Sequence, residues 1–233
     1  MGRLKHIGIV GVSPPGAALC YQTICTEGEK FLGGRYAHPE VSMHVFSFSS
    51  YMARIERGDW DGVAELMVAS AKKLADIGAD FIICPDNTVH IAFSKVVEKS
   101  PLPWLHIAEE VAKEAKRLDF GKLAVLGTRF LMESDVYPSK LMLYGINWAV
   151  PKVKQREIIN EIIFSELVYG VVKAESREKL VSIIKDMTQT EGCDAVILGC
   201  TELPLILDSK HSPIPVLDST RILARAALKK ATE

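Results

Sequence analysis

Short apolar runs alternate along this chain with longer segments in which apolar residues recur at helical spacing. The runs predicted to form strands are HIGIV at 6–10, SMHVF at 42–46, DFIIC at 80–84, PWLHI at 103–107, KLAVLG at 122–127, AVILG at 195–199 and IPVLD at 214–218. Helical spacing is clearest from Val63 to Ile77 and from Ile158 to Leu167. This alternation predicts an α/β fold made of βαβ units around a mainly parallel sheet.

The pattern also repeats loosely between the two halves of the chain. HIGIVGVSPPG opens the first half as KLAVLGTRFLM opens the second, and DFIICPDNT is matched by AVILGCTEL. Two similar α/β lobes with a boundary near EKSPLPW at 98–104 would explain the repeat. Because ligands of open parallel sheets sit beyond the carboxyl ends of the strands, we expect the matched loops to face one cleft.

Composition and charge narrow the classes of function. The chain has 233 residues, of which 48% are hydrophobic, enough for a substantial core. Its formal net charge is −1 without a basic stripe, so we expect neither nucleic acid nor a membrane surface as a partner. No apolar run has the length of a bilayer span, and no signal-peptide pattern is present, so a cytoplasmic location is expected.

Cysteine and histidine spacing gives no support for a metal site or a disulfide framework. The five cysteines are irregularly spaced and show no CxxC pair. His38, His44, His90 and His106 lack the spacing of metal ligands. We therefore predict no metal, and read the thiols as packing residues or reactive groups.

The two matched strand ends carry the candidate chemistry. Asn87 and Thr88 follow one strand and Thr201 follows the other, and such short side chains with exposed backbone N–H groups suit a bound carboxylate. The same residue types often merely cap the next helix. Each loop also carries one proton carrier, Asp86 in the first and Cys200 in the second, where nearby N–H groups can stabilise a thiolate.

Taken together, these segments resemble the cofactor-independent aspartate/glutamate racemases and the wider superfamily of hydantoin racemase, maleate isomerase and arylmalonate decarboxylase. The resemblance spans nearly the whole chain, and its most specific parts are NTVH with GCTEL, and GTRFLMESDVY. It implies two pseudo-symmetric three-layer α/β domains with parallel sheets and the active site in the interdomain cleft. We expect a first domain of 1–100 with about 212–233, and a second of 101–211.

The resemblance implies a mechanism with one catalytic cysteine from each domain. One thiolate removes the Cα proton of an amino acid, and the other thiol returns a proton to the opposite face, without pyridoxal phosphate or a metal. The family motif P-C-N-T-x-H reads PDNTVH at 85–90, so Asp86 stands in the place of the first cysteine. Cys200 in GCTEL occupies the place of the second.

An aspartate at this position changes the strength of the proton carrier. Reference pKa values of about 8.5 for Cys and about 3.9 for Asp make the carboxylate a weaker base by roughly 4.6 units, or about 6 kcal/mol. If half of this energy difference were added to the activation barrier, proton transfer at Asp86 would slow on the order of a hundredfold. Burial would raise the pKa of Asp86 and backbone N–H donors would lower it, and the sequence leaves both open.

Cys84, about 6.6 Å away from Asp86 along an ideal strand, is expected to be a buried strand residue.

The resemblance also assigns side chains to substrate binding: Ser13, Asn87, Thr88, Thr128, Arg156 and Thr201. Asn87, Thr88 and Thr201 would hold the α-carboxylate. Arg156 falls where family members place a basic side chain for a distal carboxylate, which a guanidinium binds in bidentate fashion. Its alternative is an exposed arginine at the start of a helix.

The leading hypothesis is a PLP-independent amino-acid racemase or epimerase in which Asp86 and Cys200 flank the Cα of a small amino acid or dicarboxylate. The second is a one-base isomerase or decarboxylase of a small dicarboxylic acid. The third is a carboxylate-binding protein without turnover. The resemblance further implies a homodimer and no cofactor.

Overall fold

The computed structural model describes residues 3–233 as alternating strands and helices. The strands are β1 (Ile7–Gly11), β2 (Val41–Val45), β3 (Phe81–Ile83), β4 (Lys122–Leu126), β5 (Asn147–Ala149), β6 (Ala195–Leu198) and β7 (Val216–Asp218). The α-helices are α1 (Pro14–Leu32), α2 (Phe48–Ile55), α3 (Trp60–Asp76), α4 (Phe93–Lys99), α5 (Ile107–Arg117), α6 (Arg129–Met132), α7 (Pro138–Leu143), α8 (Val153–Ser165), α9 (Ala174–Glu191) and α10 (Ser219–Thr232). Short 3-10 helices cover Thr88–Ala92, Leu167–Tyr169 and Leu203–Leu205.

The chain divides into two compact units, each with its own parallel sheet. The first unit contains the residues up to Ile107 together with Thr220–Glu233, and the second is Ala108–Ser219. The first sheet has the order β2-β1-β3, and the second has the order β5-β4-β6-β7. All of these strand pairs are parallel. The predicted two-domain α/β fold with parallel sheets is confirmed.

The observed division differs from the sequence-based boundaries of 1–100 with about 212–233 and 101–211. Residues near 104 stay with the first unit because Trp104 forms a parallel bridge to Ile82 in β3. Residues 216–218 stay with the second unit because β7 pairs with β6. Backbone pairing of this kind depends on register between distant segments, which composition does not reveal.

Each unit has a buried core built from apolar strands and one face of its helices. In the first unit, Ile7 and Ile9 of β1 pack with Phe81 of β3 and with Leu223 and Leu228 of α10. All of β1 is buried, as expected for a parallel strand covered on both faces.

Within residues 3–233, no helix is both long and apolar enough to cross a membrane.

The loose repeat of the sequence has a counterpart at the starts of the strands. Asp80 precedes β3, and its Oδ2 accepts a hydrogen bond of 2.6 Å from the backbone N–H of His6, next to β1. Asp194 precedes β6, and its Oδ2 accepts one of 2.7 Å from the backbone N–H of Gly121, next to β4. The same acidic clamp therefore joins two neighbouring strands in each sheet, β1 with β3 and β4 with β6.

Two predicted features of the strands differ in the structure. The PWLHI run at 103–107 forms only the bridge at Trp104, with the Pro103 carbonyl accepting from Ile82 N and Leu105 N donating to Ile82 O. Proline has no N–H to donate to a ladder, which limits the length of this segment. The edge strand β5 was not predicted, because three residues that begin with a polar Asn147 give no apolar run.

The Asp80 clamp predicts an acid-sensitive contribution to stability. The pKa of Asp80 is lowered mainly by the hydrogen bond from the backbone N–H of His6, and to a smaller extent by the Arg3 guanidinium. A carboxyl group whose pKa is lower in the folded state stabilises the protein at pH values above its unfolded-state pKa of about 3.9. This stabilisation is lost as the pH falls through the folded-state pKa. We expect Asp80→Asn to lower the free energy of unfolding at neutral pH, with the deficit shrinking below about pH 4. Urea unfolding followed by circular dichroism measures this.

The exposed residue Asp76 provides the control for this measurement. Asp76→Asn should leave the free energy of unfolding close to that of the wild type across the same pH range. A deficit in Asp80→Asn that persists unchanged in acid would contradict the assigned role of the ionised clamp.

Candidate active site

Asp86 lies in the loop after β3 and is held by the backbone that follows it. Its Oδ1 accepts hydrogen bonds from the N–H groups of Thr88, at 3.1 Å, and Val89, at 3.4 Å. The side chain is half-buried. Because hydrogen bonds from N–H donors favour the charged form of a carboxyl group, this geometry favours an ionised Asp86. The two environments that the sequence left open are therefore both present, as partial burial and as two backbone donors, and they act on the pKa in opposite directions.

His90 supports the same loop through both of its ring nitrogens. Nδ1 lies 2.8 Å from the carbonyl oxygen of Asp86, and Nε2 lies 3.4 Å from the backbone nitrogen of Ile107. A carbonyl oxygen only accepts, so Nδ1 carries the hydrogen, and Nε2 accepts from Ile107 as in a neutral imidazole. The ring also stacks on Phe93 and meets His106 edge-on. These contacts make His90 a brace for the loop.

Cys84 sits at the end of the strand beneath Asp86 and is fully buried. Its thiol donates to the Asp86 carbonyl over 3.9 Å. Burial raises the pKa of the Cys84 thiol well above its ordinary value, and the negative charge of Asp86 raises it further. A thiol in this setting stays protonated, as expected of a buried strand residue.

Cys200 lies in the equivalent loop of the second unit, after β6. Only 7% of the residue is exposed, and its thiol donates to Oε2 of Glu202 over 2.9 Å. The hydroxyl of Thr201 donates to the same oxygen over 2.7 Å. The sequence suggested N–H groups that stabilise a thiolate here, whereas the structure shows a thiol donating to a carboxylate.

Glu202 is the member of this loop for which the sequence suggested only a supporting role, like that of His90. It is 97% buried, with 3% of its surface exposed, and precedes the 3-10 helix Leu203–Leu205. The available signal was an acidic residue two positions after a cysteine at a strand end. That signal did not show that the Glu202 side chain turns towards Cys200, because the direction of the side chain depends on the conformation of the turn.

Two glycines let the strand ends of the second sheet approach closely. A Cβ at Gly199 would lie 2.6 Å from Leu131 Cδ2 and 2.8 Å from the Leu126 carbonyl oxygen. A Cβ at Gly127 would lie 2.9 Å from the Gly199 carbonyl oxygen. Gly199 therefore fixes the path of the backbone immediately before Cys200.

Ser13 and Thr128 occupy equivalent positions after β1 and β4, where both cap a helix. Ser13 Oγ accepts from Gly16 N at 3.4 Å, and Thr128 Oγ1 accepts from Leu131 N at 3.2 Å. Capping was the alternative that the sequence offered for side chains of this kind. A further role of these hydroxyls in substrate binding stays a prediction.

Arg156 lies on α8 and is mostly covered, with 19% of its side chain exposed. Its Nε is 3.6 Å from Oε1 of Glu133, and this buried nitrogen makes no hydrogen bond in the part of the chain described. A substrate carboxylate at this guanidinium would compete with Glu133. Binding of a distal carboxylate by Arg156 stays a prediction.

The structure groups the predicted site residues by unit. Because parallel strands end at one edge of a sheet, Ser13 after β1 lies at the same edge as the loop after β3, which carries Asp86, Asn87 and Thr88. Asn87 and Thr88 are both buried. Within residues 3–233, no group of three or more His, Cys, Asp or Glu residues could hold a metal ion.

The second unit groups its predicted residues in the same way. Thr128 follows β4, and Cys200 and Thr201 follow β6, its neighbour in the sheet. Each sheet therefore presents one proton carrier and at least one hydroxyl side chain at its carboxyl edge.

Comparison with known proteins gives consistent matches over nearly the whole chain. Residues 9–227 match a family model described as Asp/Glu/Hydantoin racemase. The broad specificity amino-acid racemase RacX of Bacillus subtilis is 28% identical over 229 residues, covering 95% of this chain and 96% of that protein. The structure of an aspartate racemase homologue from Pyrococcus horikoshii has a TM-score of 0.83 and 32% identity, covering 99% of this chain and 100% of that one. Picrophilus torridus aspartate racemase gives a TM-score of 0.80 at 25% identity, covering 98% and 94%.

The bracing role of His90 predicts a loss of stability when its ring nitrogens are removed. His90→Phe keeps an aromatic ring for stacking but removes the hydrogen bonds to the Asp86 carbonyl and from Ile107. We expect the free energy of unfolding to fall by about 2 kcal/mol, since two buried hydrogen bonds are lost. Urea unfolding measures the change, with exposed His38→Phe as the control. A loss no larger than that of the control would contradict the brace.

Proposed function

Because this chain belongs to the Asp/Glu/hydantoin racemase family, we propose that it is an amino-acid racemase or epimerase that works without pyridoxal phosphate. Asp86 and Cys200 are the two proton carriers in this proposal. The observation that carries it is the difference in their hydrogen bonding. Asp86 accepts from backbone N–H groups, as a base at rest would, and Cys200 donates its hydrogen to Glu202, as an acid at rest would.

Two-base racemisation needs these opposite protonation states in each turnover. The Asp86 carboxylate takes the proton from Cα and becomes a carboxylic acid, while the electron pair of the broken C–H bond stays on the substrate. Cys200 then gives its thiol proton to the opposite face of Cα and becomes a thiolate. The reverse direction begins from the acid form of Asp86 and the thiolate of Cys200, so both enantiomers can be processed.

The substrate carboxylate has candidate partners in both loops. We assign Asn87, Thr88 and Thr201 to the α-carboxylate, with Ser13 and Thr128 contributing from the adjacent strand ends. Arg156 is assigned to the distal carboxylate of an acidic amino acid. Support comes from the guanidinium chemistry and from relatives described as aspartate racemases. The RacX relative is described as broad in specificity, so neutral amino acids belong in the first test as well. A homodimer and a cytoplasmic location stay predictions.

A one-base isomerase or decarboxylase of a small dicarboxylic acid is the second candidate. The observation in its favour is again at Asp86, because the two N–H donors that hold the carboxylate ionised also make it a weaker base. In that case Cys200 alone would carry the transferred proton, and exchange would occur at one face of the substrate.

Proton exchange in heavy water tests the proposal and separates it from the alternatives. We expect the wild type to exchange the Cα–H of both enantiomers of at least one amino acid with solvent deuterium. Proton NMR measures this exchange on a panel of amino acids that begins with aspartate and glutamate. Asp86→Asn and Cys200→Ala should each abolish this exchange, because each removes one proton carrier. Half-buried Cys25→Ala and exposed Asp76→Asn are the controls and should retain it.

Other exchange patterns would point to the alternatives. Exchange from one enantiomer only, retained in Asp86→Asn, would favour the one-base enzyme. Saturable binding of a carboxylic acid without exchange by the wild type would contradict the racemase and favour a binding protein.

The lower basicity of a carboxylate predicts a faster enzyme when a thiol replaces it. Asp86→Cys would supply a base stronger by roughly 4.6 pKa units. If half of this difference lies in the barrier, kcat rises on the order of a hundredfold at a pH where the introduced thiol is ionised. A coupled assay or polarimetry on the substrate found by NMR measures kcat. A fall in kcat with unchanged folding would show that Asp86 has a role that a thiol cannot perform.

A further inference from the structure

The thiol of Cys200 and the carboxylate of Glu202 form a buried acid–base pair within one loop. Oε2 of Glu202 accepts from the Cys200 thiol at 2.9 Å and from the Thr201 hydroxyl at 2.7 Å. Burial of a carboxylate is costly unless hydrogen bonds compensate for the lost water. Both of these donors come from residues of the proposed site. The carboxylate is thus directed at the reactive thiol and away from solvent.

Apolar packing holds this arrangement in place. Leu203 and Ile206, which follow Glu202 in the chain, belong to the same buried cluster as Cys200. The backbone N–H of Leu203 donates to the Cys200 carbonyl, so the turn closes on itself. Glu202 therefore has little freedom to leave the thiol while the loop keeps its shape.

We propose that Glu202 is a positioning residue that keeps Cys200 in its thiol form, so that the resting site carries its proton on Cys200 while Asp86 is ionised. The inference deepens the proposed function and rests on it for its catalytic meaning. An ionised carboxylate beside sulfur disfavours a second negative charge, and the S–H···O bond is lost when the thiol ionises.

The same pair explains how the site would recover after each turnover. Once the thiol proton has moved to the substrate, a thiolate is left beside the Glu202 carboxylate. Repulsion between the two charges makes that thiolate a stronger base. It then takes a proton from Cα of the next substrate molecule or from water, which restores the S–H bond, while protonated Asp86 gives its proton to the substrate or to water.

Other ionisable groups also lie near this loop. They are Tyr137 just before α7, Asp218 on β7, Arg177 on α9, and the Arg156–Glu133 ion pair between α8 and the end of α6. Burial raises the pKa of Tyr137, so it stays neutral. Arg177 Nε donates to the Ile206 carbonyl. Glu202 Oε2 contacts the sulfur directly, at 2.9 Å.

Titration of the Cys200 thiol tests this inference without requiring turnover. The rate of alkylation of Cys200 by iodoacetamide is followed by peptide mass mapping from neutral to alkaline pH, and half-buried Cys25 serves as the internal reference. We expect Glu202→Gln to lower the apparent pKa of Cys200 by about one unit, because a neighbouring negative charge has been removed. Alkylation below that pKa should become about tenfold faster. Glu202→Asp, which keeps the charge, should stay close to the wild type.

Two outcomes would overturn the inference. One is an unchanged or raised Cys200 pKa in Glu202→Gln, and the other is an equal shift in Glu202→Asp. Thermal unfolding of both variants shows whether the fold is intact, and exposed Glu157→Gln is the control for a general charge effect. Failure of the racemase proposal would show separately, as an absence of Cα–H exchange in the wild type while the thiol titration still depends on Glu202.

Discussion

The proposed chemistry depends first on the backbone hydrogen bonds that hold Asp86 as a carboxylate. The N–H groups of Thr88 and Val89 point at one oxygen of this side chain, and such donors stabilise the charged form. A base that is ionised at rest can accept a substrate proton without first losing its own. The same bonds reduce the basicity of the carboxylate, so in the proposed mechanism Asp86 is ionised before substrate binds but is a weaker base than a thiolate would be.

The scaffold places similar loops at matched strand ends but gives them unlike chemistry. Asp80 and Asp194 clamp the starts of two neighbouring strands in the same way in both units. At the other ends of those strands the first loop offers an acceptor, Asp86, and the second offers a donor, Cys200. In the proposed racemase mechanism each turnover uses one base and one acid, and these two unlike groups would fill the two roles.

Much of the fold could be predicted from the sequence because buried parallel strands leave a strong signal. The runs that became β1, β4 and β6 are almost wholly apolar, as burial on both faces requires. The edge strand β5 has three partly exposed residues and leaves no such signal. The segment around Trp104 had the composition of a strand, but the preceding prolines limit its pairing to a bridge.

For the candidate site, the sequence predicted which strand-end loops carry the candidate residues but not the contacts that their side chains make. Both strand-end loops follow from the motif, and the structure shows what each side chain touches. Ser13 and Thr128 cap helices, Arg156 pairs with Glu133, and Glu202 accepts from Cys200. These partners depend on side-chain directions in turns, which residue type and spacing alone do not determine.

A crystal structure of Asp86→Asn with bound aspartate, or with the substrate identified by exchange, tests the two-carrier account most directly. The account predicts that the side chain at position 86 and Cys200 Sγ approach Cα from opposite faces, each within about 3.5 Å. The α-carboxylate should contact Asn87, Thr88 or Thr201. A substrate whose Cα is reached by only one of the two side chains, with the other face covered by inert groups, would contradict it.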